Sequence, residues 1–109
     1  MKYPVIVLPF LKVSGMAVYP FIAVQKAAMK TDKVLIRHET IHMKQAQELL
    51  IIPFYLLYLI NYIINRYKYR EHNKAYLNIV FEREAYYYEA DPDYLTRRRL
   101  WAWAKFTGH

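Results

Sequence analysis

The chain has 109 residues, 56% of them hydrophobic, with 12 Tyr, 5 Phe and 2 Trp; that is enough for one domain with a modest core and argues against disorder. It contains no Cys, which excludes disulfide support and Cys-ligated metal sites. The net charge of +7 fits an anionic partner or a solubilising surface; no nucleic-acid motif accompanies it, so nucleic acid is not expected, while a membrane surface stays in play.

Only two Gly occur, with no linker and no repeat, so residues 1–109 read as a single domain. The apolar N-terminus is interrupted by Pro4 and Pro9 and lacks a small-residue cleavage site, which makes it a poor signal peptide and leaves a cytoplasmic or membrane-associated chain. Residues 4–25 are rich in Val, Ile, Tyr and Phe and are broken by Pro9, Gly15 and Pro20, predicting two or three short strands with Pro20 at an edge. A helix is predicted over 33–50, free of Gly and Pro, with Thr31 or Asp32 as its cap and Val34, Leu35, Ile41, Leu49 and Leu50 as apolar contacts.

A second helix is predicted from Pro53, suited to the first helical turn, to about Tyr67. Its apolar stretch, 49–64, is short for a membrane span and reads first as a buried core helix. The basic run Arg66–Arg70 and the phenols of Tyr55, Tyr58 and Tyr62 keep a membrane-lying helix as the second reading. A third helix is expected over about 73–90. A last one runs from Asp91-Pro92 to about Phe106, with Leu95, Leu100 and Trp103 available for packing.

Chemistry concentrates in His38-Glu39-Thr40-Ile41-His42, an HExxH pattern on the first helix. Positions i and i+4 share a helix face, so both imidazoles can reach one metal ion, and Glu39 follows the first histidine directly, where it can serve as general base. Catalytic zinc needs a third protein ligand and an open position. No further His follows at motif spacing, which leaves a carboxylate from residues 81–91. Glu82 and Glu84 lie two apart and point to nearly opposite sides of a helix, so both cannot bind one ion.

HExxH followed by this glutamate-bearing segment resembles the gluzincin class of zinc metallopeptidases, over roughly residues 30–91, and Gln45 extends the motif to HExxHxxQ. The resemblance implies a small, mostly helical, zincin-like α+β domain whose N-terminal β-region packs on the HExxH helix. It implies Zn2+ held by His38, His42 and Glu82, because Ala85 supplies the small residue three after Glu82; Glu84 is the alternative. It further implies an edge strand beside the metal helix that binds peptide in extended form, with 18–24 as the candidate. Where the class commonly has an acidic residue four after the ligand, orienting the first histidine, this chain has Tyr86.

The expected function is hydrolysis of a peptide or protein substrate, with Glu39 as catalytic base. Tyr76, Tyr86, Tyr87, Tyr88 and His72 are the candidate oxyanion donors. The alternatives are a zinc-binding module without turnover and a basic membrane-surface interaction domain.

Overall fold

The computed structural model describes residues 3–107; Met1 and Lys2 of the apolar N-terminus, and Gly108 and His109, lie outside the described residues. The fold is α+β and mostly helical. Strands β1 (Val5–Val7), β2 (Gly15–Val18) and β3 (Phe21–Val24) form one sheet in the order β1-β3-β2. β3 is the central strand: it pairs parallel with β1 and antiparallel with β2. Segment 18–24 is therefore not an edge strand. It is the end of β2, a turn and β3, and the edge nearest the first helix is Gly15–Val18. Pro20, which lacks an N–H for a ladder, sits in that turn rather than within a strand.

After a 3-10 turn at Ala27–Thr31, helix α1 (Lys33–Glu48) starts where the Asp32 carboxylate accepts from the Leu35 amide at 3.1 Å, satisfying one orphan donor of the first turn. Helix α1 gives the molecule its centre. Met43 packs with Tyr3, Ile22 and Val24 of the sheet layer; Ala46 packs with Phe54, Ile79 and Phe81; Ile41 packs with Ala85 and Tyr94. One helix thus contributes to all three hydrophobic clusters. Leu35 and Leu49 pack on their margins, whereas Val34 and Leu50 are exposed rather than core contacts.

Between α1 and α2 (Ile52–Tyr69) the axis turns by 112°, with Leu50 and Ile51 both at positive φ, a costly conformation for branched side chains. Helix α2 is not a buried core helix: only Phe54 and Asn65 are buried. Three of its tyrosines reach towards neighbouring elements. Tyr55 bonds the Ala17 carbonyl at 2.9 Å, Tyr58 bonds Glu82, and Tyr62 bonds His72 at 2.8 Å. No single helix among the described residues is long and apolar enough to cross a membrane.

The third predicted helix is two, α3 (His72–Leu77) and α4 (Val80–Tyr88). The break has a cause. Asn78 turns its side chain back to the Lys74 carbonyl, and Asn61 of α2 accepts from the Val80 amide at 2.8 Å, replacing the lost intrahelical partner.

The expected helix over 91–106 is also divided, into α5 (Tyr94–Arg97) and a 3-10 turn at Ala102–Phe106. Asp91 does not cap a long helix; it closes a local turn with the Asp93 amide and pairs with Arg97. Arg98 leaves helical geometry and inserts between Glu84 and Glu48, so the buried ion pair overrides local propensity. Leu95 and Trp103 pack as expected, but Leu100 is exposed.

Candidate metal centre

His38 and His42 lie one turn apart on the buried face of α1, which packs against α4, and α4 delivers Glu82 between them. The Glu82 Oε1 is 3.0 Å from His38 Nε2 and 3.1 Å from His42 Nε2. One donor atom from each residue falls within 4.8 Å of the others, and all three are buried. Two imidazole nitrogens and one carboxylate oxygen form a donor set suited to zinc.

The surroundings orient each donor. His38 Nδ1 is 2.8 Å from the carboxylate of Glu89, and His42 Nδ1 is 2.8 Å from the side-chain oxygen of Gln45. Each Nδ1 therefore faces an acceptor, which aims the Nε2 of each ring inward at Glu82, the orientation that metal-binding histidines adopt. Tyr58 donates to the other oxygen of Glu82 and holds that carboxylate in place.

Without a cation the centre is frustrated. A single carboxylate oxygen, Glu82 Oε1, is shared by the Nε2 atoms of two rings whose centroids lie 4.9 Å apart. Burial lowers the pKa of His42, but the Glu82 carboxylate outweighs it, with smaller help from Glu39 and Gln45, and pushes it up to about 9. Burial likewise opposes ionisation of Glu82, yet His42 and His38 hold its carboxyl well below the usual range. The pocket draws positive charge to the point where three donor atoms converge. A divalent cation supplies that charge at the shared point, so the residues fit a metal ion.

Glu39 lies beside this group but is not part of it. Two clefts meet at its side chain: an apolar one of about 430 Å³, lined by Met16, Val18, Phe54, Tyr55 and Tyr58, and one of about 700 Å³ that reaches His38, Tyr86 and Glu89. Burial raises its pKa; His42 and His38 pull the other way, and Glu82 and Glu89 add to the rise. Gly15 lets β2 approach this carboxylate closely, since a Cβ there would lie 2.9 Å from Leu35 Cδ1 and 3.3 Å from Glu39 Oε2.

The structure brings His38, Glu39, His42 and Glu82 together and sends Glu84 elsewhere. Glu84 sits on the opposite side of α4, completely buried, accepting from Tyr94, Arg98 and Gln45. Two residues of helix rotate it away from the histidines, as the period requires. Tyr86 lies edge-on to His38, with ring centroids 4.4 Å apart, so it contacts that ring without taking the carboxylate's place.

Glu89 supplies the orienting carboxylate and was missed; its signal was the seven-residue spacing from Glu82, two turns along one face. Arg37 helps fix it through a 2.7 Å bond to the Glu89 carbonyl. Tyr58 was also missed as a site residue, and no local pattern marks it. Among the proposed oxyanion donors, Tyr76 and Tyr86 face the clefts with their hydroxyls 3.3 Å apart. His72 is at the cleft but is bonded to Tyr62, and Tyr87 and Tyr88 pack towards Phe106 and Tyr94. Compared with known proteins, the chain matches no family model, no curated protein and no solved structure.

Proposed function

We propose that the chain is a zinc-dependent metallopeptidase of the kind its HExxH-plus-glutamate pattern resembles, with His38, His42 and Glu82 holding the ion. One observation carries the reading: both Nε2 atoms converge on Glu82 Oε1 while the Glu39 carboxylate stands free of that cluster at the meeting of two clefts. When bound, zinc supplies Lewis acidity that polarises a carbonyl and acidifies water.

The protein's own groups do the remainder. Glu39 accepts a proton from the attacking water and returns it to the leaving amine as the C–N bond breaks. Tyr76, which lines both clefts, donates to the carbonyl oxygen as negative charge develops there; its raised pKa, caused first by burial and then by Glu82, keeps the phenol protonated. Strand β2 guides an extended peptide by main-chain pairing. Tyr55 already occupies the Ala17 carbonyl, so pairing belongs to the Gly15 end, and the apolar cleft receives apolar side chains.

Metal analysis and cleavage of an unstructured protein test the reading together. Wild type is expected to hold one zinc and to lose cleavage on chelation. Glu82→Ala is expected to lose the metal, while Glu84→Gln retains it. A zinc-loaded wild type that leaves every peptide intact would sink the peptidase reading and leave a zinc-binding module. Gly15→Ala tests the strand's approach: the added methyl presses on Leu35 and Glu39. Peptide turnover is expected to fall about 10- to 100-fold, a misplacement-sized effect, with zinc content unchanged.

A further inference from the structure

Helix α2 carries a second feature that the metal site does not use. Ile52, Leu56, Leu59, Ile60, Ile63 and Ile64 recur at helical spacing and are 43% to 77% exposed, forming a continuous apolar stripe along one face. Leu50, at the corner where α1 turns into α2, is 79% exposed beside it. An apolar face of this length is rare on a surface that meets only water.

The charges beside the stripe say what covers it. Helix α2 contains no Asp or Glu, and residues 49–81 hold Arg66, Lys68, Arg70 and Lys74 against a single acid, Glu71. By helical rotation Arg66 and Lys68 fall on the two borders of the stripe, and Tyr67 projects between them at the same end. Cations flanking an apolar face, with an exposed phenol beside them, match the headgroup level of an anionic bilayer. A second copy of the chain fits less well, because each copy brings a net charge of +7.

We propose that this face of α2 lies on an anionic lipid bilayer. The helix rests in the interface rather than spanning it. Eighteen residues make about 27 Å, short of the hydrocarbon thickness, and the opposite face is committed to protein through Phe54, Tyr58 and Asn65. Because Tyr58 on that opposite face holds Glu82, docking sets the metal centre about one helix diameter, roughly 10 Å, from the lipid. Resting on the peptidase reading above, the centre then acts on chains presented at the membrane surface.

Co-sedimentation with vesicles tests this, and needs neither metal nor activity. Vesicles of phosphatidylcholine alone are compared with vesicles in which about one lipid in three is phosphatidylserine. Wild type is expected to bind the anionic vesicles at least about tenfold more tightly, and high salt removes that difference. Leu56→Ser combined with Ile60→Ser and Ile63→Ser changes only exposed side chains and is expected to weaken binding by at least about 100-fold. Arg66→Gln with Arg70→Gln, which leaves the apolar stripe intact, is expected to abolish the preference for anionic lipid. Wild type that stays in solution with both vesicles overturns the proposal, as does a serine variant that binds like wild type. A wild-type dimer that the serine variant converts to monomer, with no vesicle binding, overturns it in favour of a second copy.

Discussion

Arg98→Met is expected to lower the unfolding free energy by about 3–5 kcal/mol, the range for removing one partner from a buried ion pair. The guanidinium bonds Glu84 at 2.6 and 3.0 Å and Glu48 at 2.9 and 3.1 Å, and all three side chains are almost fully buried. Burial alone would lower the Arg98 pKa; the bonds to Glu84 and Glu48 reverse that and hold the charge firmly. Methionine preserves much of the stem volume but leaves two carboxylates facing each other out of water. Tyr94, Gln45 and the Trp101 amide still donate to them, so the site does not lose every partner. For a domain of this size the loss corresponds to a melting temperature lower by roughly 10–30 °C, measurable by thermal or urea unfolding. Replacing Glu48 and Glu84 as well, by Leu and Gln, is expected to restore much of the stability, because no unpaired charge then stays buried. An Arg98→Met protein as stable as wild type would mean that the trio contributes nothing net.

The same cluster reaches the candidate metal centre. Gln45 donates to Glu84 and to the Phe81 carbonyl, and those two bonds fix the side-chain oxygen that accepts from His42. The C-terminal segment thereby steadies a histidine on α1 through one amide. Zinc affinity in Arg98→Met is accordingly expected to fall by about 10- to 100-fold, the scale of an outer-shell loss, and far less than in Glu82→Ala.

The sequence was readable where the chemistry is local. Asp32 caps α1, His38 and His42 share a face, and Glu82 and Glu84 separate by helical rotation; each follows from spacing along one helix. Glu89 obeys the same rule at two turns but is hidden at the end of a tyrosine run. What stayed illegible depends on distant partners. Asn61 splits α3 from α4, Tyr58 secures Glu82 from α2, and Arg98 abandons a helix for carboxylates up to fifty residues away in sequence. Helix α2 is the clearest case. An apolar run has the same composition whether protein or lipid covers it, and only the packing of its neighbours reveals which face is left exposed.

Glu39→Gln is the substitution with the largest expected effect on chemistry. Glutamine keeps the shape and much of the polarity of the side chain, so the close packing of Gly15 and Leu35 around it survives. It cannot accept a proton at neutral pH, which on the proposed mechanism removes general-base assistance and the later return of that proton to the amine. Peptide cleavage is expected to fall by about 10²–10⁴-fold. Zinc content is expected to hold at one, because the three convergent donor atoms come from His38, His42 and Glu82 and not from Glu39. Affinity for an uncleaved peptide is also expected to stay near wild type, since β2 and the apolar cleft are untouched. Cleavage is measured under single-turnover conditions beside metal analysis of the same sample, which separates a chemical defect from a structural one. If zinc and activity vanish together, Glu39 serves the metal centre's assembly, and its assignment as the base fails. If activity persists at the wild-type rate with zinc bound, Glu39 is not the base and its assignment likewise fails.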